Sequence, residues 1–385
     1  MSDSRPGNVE EPLRVTRVYL WMRLGGTERQ LARVLPHLEA RGRVRTRLVL
    51  TREGGPLLRP LEEAGIPVEV RRLRGRLRPA TIRWLADRFR GTGTHLVQGH
   101  AHGPSTTSTV AAWRAGLPAI ATVHTLGSIS GLRHRLQERL LARLRSAIVC
   151  VSGAVRDDYL RATGIAPEKV HVLYNGLDVA GIARLPRERE PVRRELGLPA
   201  DALLLLCPAR LIPDKDHRGL LAAFARIAPD HPRAHLLLAG DGPLAAELRD
   251  EIARAGLGDR VHLLGPRDDV PRLLRAADLA VLASRREGFS NVVLEAMAAG
   301  IPQVVTDVGG NREAMEGDAT GRLVPPGDLE AFASALRELL ASPGLRERLA
   351  EAAARRAWRF DLDRTCADTE ALYDRVLATA RRPRP

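Results

Sequence analysis

The sequence predicts an α/β protein with two doubly wound parallel sheets. Three observations carry that prediction. Short apolar segments alternate with segments of helical period along the whole chain. The alternation is interrupted once, by a charged, proline-bearing stretch from Arg184 to Pro191. A length of 385 residues suits two domains, each of about 100–200 residues.

The first series opens with an apolar strand, Val15–Trp21, then Gly25-Gly26-Thr27 and a helix-period run from Glu28 to Ala40. Further strands are expected at Thr46–Thr51, Ile66–Val70, His95–Gln98, Ala119–His124, Ala147–Val151 and Val170–Leu173. Helices are expected at Thr81–Arg90, Ser105–Ala115 and Leu136–Leu144. In the second series the strands are Ala202–Pro208, His235–Ala239, Val261–Leu264, Leu279–Ala283 and Gln303–Thr306, with Leu323-Val324 ahead of a long helix, Leu329–Leu340. Its other helices are Gly219–Ala228, Leu244–Ala255, Val270–Ala276 and Asn291–Ala299, and a last helix, Asp363–Ala380, ends the chain. Such alternation gives parallel sheets with right-handed crossovers, and these sheets bind ligands beyond the carboxyl ends of their strands. The expected architecture is therefore two Rossmann-like domains facing across a cleft, residues 1–183 and 184–362, followed by a terminal helix in 363–385.

Composition narrows the function. Apolar residues make up 44% and charged residues 28%, as in ordinary globular proteins. Aromatics are only 3%, so stacking platforms for nucleic-acid bases are not expected. The net charge is +14, and its distribution is uneven. Through residue 180 there are 29 Lys and Arg against 15 Asp and Glu; beyond it the two signs balance. The excess is dense at Arg41, Arg43, Arg45 and Arg47 and at Arg71, Arg72, Arg74, Arg76 and Arg78. A basic half suits anionic partners such as phospholipid headgroups or lipid-linked phosphates. A solvated basic face explains it equally well, because Lys169 and Lys215 are the only lysines and the chain favours arginine throughout. Cys150, Cys207 and Cys366 have neither metal nor disulfide spacing. The polar start lacks the apolar core of a signal peptide, and no apolar stretch reaches the roughly 18 residues of a membrane span. A cytoplasmic protein is expected, with peripheral attachment to the inner face of an anionic membrane as the option its charge opens.

The most informative segment runs from Ser284 to Met297. Glu287 stands in a loop after an apolar strand, and Gly288 lets backbone approach a ligand. Phe289, Ser290, Asn291 and Val292 open a helix whose free N–H groups suit a pyrophosphate. Glu295 follows in that helix, within reach of a sugar hydroxyl. Alone, Glu287 reads as a solvent-facing loop residue and Glu295 as a helix-face residue paired to an arginine; the strand, glycine and helix start in register favour a ligand. A second loop, Pro208 to His217, places Arg210 and Lys215 above the carboxyl edge of the second sheet, two cations suited to a diphosphate leaving group. Gly25-Gly26 either presents N–H groups to a phosphate or simply makes a tight turn, since it lacks the full G-x-G-x-x-G pattern. Gly240-Asp241-Gly242-Pro243 is a comparable turn, with Pro243 at a helix start. His124 ends a strand, where it either touches substrate or is a buried, hydrogen-bonded histidine. His100, His102 and His124 lack a nearby carboxylate in sequence, and no bound metal is expected.

Taken in order, Gly25-Gly26-x-Glu28, His124, Val151-Ser152, Asn175-Gly176-x-Asp178, Arg210 with Lys215, Gly240-Asp241-Gly242-Pro243 and Glu287-x7-Glu295 resemble the retaining glycosyltransferases of family 4, also called glycosyltransferase group 1, which adopt the GT-B fold. The resemblance covers nearly the whole chain, and the Glu-x7-Glu block with its upstream cations is the specific part. It implies a hexosyltransferase that moves a sugar from a UDP- or GDP-linked donor to a hydroxyl of a glycan or lipid-linked acceptor, in cell-envelope glycan, polysaccharide or glycolipid synthesis, with no further cofactor. Residues 1–183 would bind the acceptor and 184–362 the donor, and the last helix would return to the first domain. The resemblance assigns Arg210 and Lys215 to the donor diphosphate, Glu287 to the transferred sugar and Glu295 to the ribose. Phe289, Ser290, Asn291 and Val292 would supply backbone N–H groups, Arg267 a further donor contact, and Gly25 and Gly26 the opposite side of the phosphate. His124 would lie near the reacting carbon. The departing phosphate would take the acceptor's proton on the face it leaves, so stabilising its charge is the main catalytic term. Arg285-Arg286 departs from the pattern by adding charge just before Glu287. The rivals are an epimerase or phosphorylase on the same fold, an inactive relative, and a basic protein that binds nucleic acid or an anionic surface.

Overall fold

The computed structural model describes residues 11–73 and 77–380. The polar start through Glu10, and Arg74 and Arg76 of the basic run, lie outside the described residues. The chain forms two compact units. One comprises the chain through Cys150 together with Tyr159–Leu173 and the residues from Thr365; the other comprises Val151–Asp158 and Tyr174–Arg364. The division thus falls ten residues earlier than the expected break at 183, and Val151–Asp158 sits with the second unit. The reason is local: Ser152 and Asn175 both hydrogen-bond to backbone of the 288–289 loop.

The first sheet contains β1 (Leu13–Tyr19), β2 (Val44–Leu50), β3 (Val68–Val70), β4 (Leu96–His100), β5 (Ala119–Val123), β6 (Ala147–Cys150) and β7 (Val170–Val172). The second contains β8 (Leu203–Pro208), β9 (Ala234–Ala239), β10 (Val261–Gly265), β11 (Leu279–Leu282), β12 (Gln303–Thr306) and β13 (Arg322–Val324). The orders are β3-β2-β1-β4-β5-β6-β7 and β10-β9-β8-β11-β12-β13, with parallel pairing throughout. Each order reverses beside its first strand, at β1/β4 and at β8/β11. Loops leaving these strands diverge there and open a crevice at the carboxyl edge.

Successive residues of β1 face opposite sides of the sheet. Val18 packs with Val49, Val97, Leu85 and Phe89, whereas Tyr19 packs with Leu35, Leu48 and Leu50. The first strands are consequently apolar on both faces, as a sheet covered on two sides requires. Helices not expected from sequence occur at Gly153–Thr163, Arg189–Glu195 and Pro343–Ala357, among others. The segment read as a break is partly helical: Pro191 falls in the first turn of its helix, where a missing N–H costs nothing. Arg193 of that helix is buried and donates to the Asp278 carboxylate at 2.8 Å and the Ala202 carbonyl at 2.9 Å. Among the described residues no helix is long and apolar enough to cross a membrane.

Candidate active site

In the second unit, the loops after β8 and β11 meet through two ion pairs, Lys215–Glu287 and Arg285–Asp216. Lys215 Nζ donates to Glu287 Oε1 at 2.5 Å, and Ser284 Oγ donates to the same oxygen at 2.7 Å. Both charged side chains are largely buried. Short, charge-assisted bonds of this kind are about twice as strong as neutral ones. An ammonium has three N–H donors and Glu287 uses one, so Lys215 keeps donors for an anion. Asp216, in the left-handed conformation at φ 46°, caps the helix His217–Ile227 and accepts from Arg285 Nε at 2.9 Å. This accounts for the departure at Arg285: its charge is held by Asp216 beside the loop.

The helix after β11 spans Asn291–Ala298 and is capped by the Ser290 side chain, which accepts from the Val293 N–H. Ser290, Asn291 and Val292 therefore stand at the helix start, as expected. The loop before it is clamped from several sides. Ser152 Oγ donates to the Gly288 carbonyl at 2.9 Å, and Asn175 Nδ2 donates to the Phe289 carbonyl at 3.1 Å and to Asn291 Oδ1 at 2.9 Å. Phe289 is buried, and its ring packs with Tyr174 and Phe360 at centroid distances of 5.0 and 5.3 Å. Gly309, at φ 56°, passes so near the loop that a Cβ would lie 2.0 Å from the Glu287 carbonyl oxygen. A Cβ on Gly310 would meet the Phe289 ring at 2.4 Å. The rigid backbone under Glu287 depends on two glycines, a serine and an asparagine that the sequence leaves unassigned or places only within a motif.

The remaining expected residues divide. Glu295 is buried in the second turn of the same helix. Arg210 begins the loop after β8, exposed, and its guanidinium bonds to no other described residue. The Gly240–Pro243 turn supports that loop: a Cβ on Gly240 would lie 2.0 Å from the Ala209 carbonyl, and Leu211 N–H donates to the Asp241 carbonyl at 2.9 Å. Arg267 lies elsewhere, after β10, where it makes two 2.7 Å bonds to Asp269 and one of 2.9 Å to Glu195. Those carboxylates raise its already high pKa, Asp269 foremost.

In the first unit, Gly25 caps the helix Gly26–Ala40. Glu28 folds back under it, buried, and accepts from Trp21 Nε1 at 2.8 Å and Tyr19 Oη at 3.1 Å. A Cβ on Gly25 would lie 2.2 Å from the Glu28 carboxylate, so this glycine is required by the carboxylate beneath it. His124 follows β5, and its Nε2 lies 3.2 Å from His100 Nδ1. His102 turns away to a different group. Its Nδ1 is 3.3 Å from Glu138 Oε1, beside His134. Burial pushes the Glu138 carboxyl up, but bonds from His102, Arg145 and Tyr159 outweigh it and bring the pKa down to about 2.

Residues 24–180 match the family described as Glycosyltransferase Family 4, and residues 188–356 the family described as Glycosyl transferases group 1. A D-inositol 3-phosphate glycosyltransferase of Thermobispora bispora is 31% identical over 294 residues, 71% of this chain and 68% of that protein. An exopolysaccharide phosphotransferase of Streptomyces coelicolor is 37% identical over 182 residues, 47% of this chain; the match spans only 19% of that longer protein. Among solved structures, Anabaena HepE in complex with UDP-glucose is 26% identical, with a TM-score of 0.80 over 94% of this chain and 100% of its own. A glycosyltransferase from Rickettsia africae shares the fold at a TM-score of 0.85, with 20% identity, over 95% of this chain and 99% of that one.

Proposed function

Because this chain belongs to the group 1 glycosyltransferases of family 4 and has their GT-B fold, we propose that it moves a sugar from a nucleotide-diphosphate donor to a hydroxyl acceptor with retention of configuration. The observation that carries this reading is the Lys215–Glu287 pair beside the capped start of the helix Asn291–Ala298. A cation, a carboxylate and a helix start on one platform suit a sugar diphosphate: the helix N-terminus and Lys215 for the phosphates, Glu287 for sugar hydroxyls. Arg210 is the proposed second cation, and its exposed guanidinium has no competing partner among the described residues. Glu295 and the backbone of Phe289–Val292 are the proposed ribose and phosphate contacts. Gly25, Gly26 and His124 are the proposed contributions of the first unit. Arg267, already held by the Asp269 and Glu195 carboxylates, would have to release one of them to contact the donor. UDP is the favoured base because the HepE structures hold UDP and UDP-glucose.

The proposed acceptor is a glycan or lipid-linked hydroxyl compound bearing negative charge, in cell-envelope glycan or glycolipid synthesis. Arg23 and Arg52 lie 4.8 and 5.2 Å from the Trp21 ring, and with Arg72 they border an open cavity of about 360 Å³ where Glu53 is the single acid. Contact with an anionic membrane is also proposed. On the helix Leu132–Leu144, Leu132, Leu136 and Leu140 are exposed at four-residue spacing, flanked by Arg133, Arg135, Arg139 and Arg143. An apolar stripe bordered by arginines suits an anionic interface, at about 1 kcal/mol per arginine near the surface. Co-sedimentation should favour phosphatidylglycerol over phosphatidylcholine vesicles, and Leu136→Ser with Leu140→Ser should weaken binding about tenfold or more. Equal sedimentation with both vesicles would remove the membrane from the reading.

The direct test is thermal denaturation, without metal, against UDP, GDP, ADP and their sugar conjugates. A shift confined to uridine nucleotides is expected, about 2.7 kcal/mol of stabilisation at a hundred times Kd. No shift with any nucleotide would overturn the donor assignment. UDP release without an acceptor product would favour an epimerase, and turnover with inorganic phosphate a phosphorylase.

A further inference from the structure

A line of buried polar side chains crosses the first unit beneath the terminal helix Leu362–Ala380 and ends at His124, its one member with a proposed part in the transfer chemistry. Arg17 comes from β1, Gln98 and His100 from β4, Thr122 from β5, and Tyr373 from the terminal helix; all are buried. Strand register sets Arg17 beside Gln98 and His100 beside Thr122, and the two-residue period puts Gln98 and His100 on one face.

Donor and acceptor roles follow from what each group can do. A guanidinium only donates. Arg17 donates to Tyr373 Oη at 2.6 Å, so the tyrosine proton goes to Gln98 Oε1 at 2.5 Å. Gln98 Nε2 in turn donates to Thr122 Oγ1 at 2.9 Å. The other arm of Arg17 lies 3.3 Å from His100 Nε2. That nitrogen must accept, so the proton of neutral His100 is on Nδ1. His100 Nδ1 is 3.2 Å from His124 Nε2, and the two rings are 5.5 Å apart at 24°. With the nitrogens so much closer than the centroids, the rings meet edge to edge with nitrogens facing. His100 therefore donates, His124 Nε2 accepts, and neutral His124 keeps its proton on Nδ1. Burial holds both rings neutral: it pushes His124 down to about 4, and burial, the Arg17 charge and His124 together push His100 well below its ordinary value.

We propose that Arg17 and His100 are positioning residues that lock His124 into the Nδ1–H form, so that it presents a fixed neutral N–H at the carboxyl end of β5. A neutral histidine side chain in water prefers the proton on Nε2, so this form needs the relay to hold it. Its purpose rests on the transferase reading: a donor at that edge binds an oxygen of the transferred sugar, and His124, with Nε2 already engaged, does not take the acceptor's proton. The Nε of Arg17 is buried without a hydrogen-bond partner among the described residues, a destabilising feature that packing alone does not explain.

The test reads the tautomer directly. In protein labelled with ¹⁵N-histidine, long-range proton–nitrogen couplings show which ring nitrogen is protonated, and His100→Gln and His124→Gln spectra assign the signals. His100 and His124 should both be Nδ1–H at pH 7. Arg17→Met should release His100 and return His124 towards Nε2–H, whereas Arg17→Lys, another obligate donor, should keep Nδ1–H. Turnover by Arg17→Met should fall roughly 10–100-fold in kcat with donor KM within about threefold, and Arg17→Lys should recover most of it. His124 in the Nε2–H form in the wild type, or unchanged in folded Arg17→Met, overturns the proposal. The wild-type spectrum decides alone where the variant does not fold. The tautomer is read without substrate, so an Nδ1–H result with no sugar transfer would sink the transferase reading and leave the relay standing.

Discussion

Replacing Lys215 by alanine lowers turnover about 10²–10³-fold, and replacing Glu287 by alanine abolishes measurable transfer, while both proteins remain folded. The first figure is the cost of removing one fixed donor aimed at developing charge, roughly 2.7–4 kcal/mol of barrier. In a retaining transfer with a phosphate leaving group, negative charge grows on the diphosphate as the glycosidic bond breaks. Lys215 is already fixed in place before that charge develops. Glu287 holds its ammonium at 2.5 Å, and the backbone N–H of Arg285 is tied to the Asp214 carbonyl beside it at 2.8 Å. Glu287 aims the lysine and is also the proposed grip on the sugar, so its loss is expected to be the more severe. Loss of either partner leaves the other without its counter-charge in a largely buried site, so some destabilisation accompanies both variants. Glu287→Gln separates the effects. It keeps a hydrogen-bonding side chain and removes the ion pair, and it should fall between the wild type and Glu287→Ala. Steady-state kinetics with circular dichroism as the folding check decide the matter. Wild-type turnover in Lys215→Ala would remove this lysine from the leaving-group site.

Much of this site is legible in the sequence because its chemistry sits at strand ends, and strands announce themselves. Gln303–Thr306 has the same limits in the structure as in the sequence. Counting from such ends places Glu287, Lys215 and His124 at or just past strand ends, as the structure does. The misses share a physical cause. β4 runs on to His100, past the expected end at Gln98, because Gly99 and His100 continue the ladder to Ala121 and Thr122 on β5, and His100 is buried against Arg17, 83 residues earlier in the chain. The clamps on the Glu287 loop, Ser152 and Asn175, lie 136 and 114 residues from their partners, and nothing local in either segment points there. The positive φ of Gly309 belongs to a close approach between two loops. One missed helix does carry a local signal. Ser342 followed by Pro343 marks a helix start, and the helix Pro343–Ala357 is capped by the Ser342 side chain.

Stability should fall steeply as pH drops from about 6.5 towards 4, and buried histidines set that window. His217 and His235 are both pushed down to about 4. For His217 burial acts first and Lys215 adds to it, against Asp216; for His235 burial is joined by His262 and Arg260, against Asp201. Neither His217 ring nitrogen has a partner, and His235 Nδ1 lies 3.2 Å from His262 Nε2, a contact that two charged rings would not keep. These groups have lower pKa values folded than unfolded. The unfolded chain therefore takes up protons first, stability is full above the unfolded value near 6.5, and it is lost as pH falls towards 4. Between pH 7 and 5 each such ring costs about 2 kcal/mol, so His217 and His235 together cost about 4 kcal/mol, and the pair in the first unit adds to this. Glu138 acts lower. Its depressed pKa contributes stability above about 4.5 that is lost as pH falls towards 2, below the histidine window. Urea unfolding at pH 7, 6 and 5 measures the slope, and a flat profile across that range would contradict it. His217→Leu isolates one ring. With a buried side chain of similar size and no site to protonate in the unfolded chain, the variant should lose about one proton's worth of slope, or about 2 kcal/mol less stability lost by pH 5.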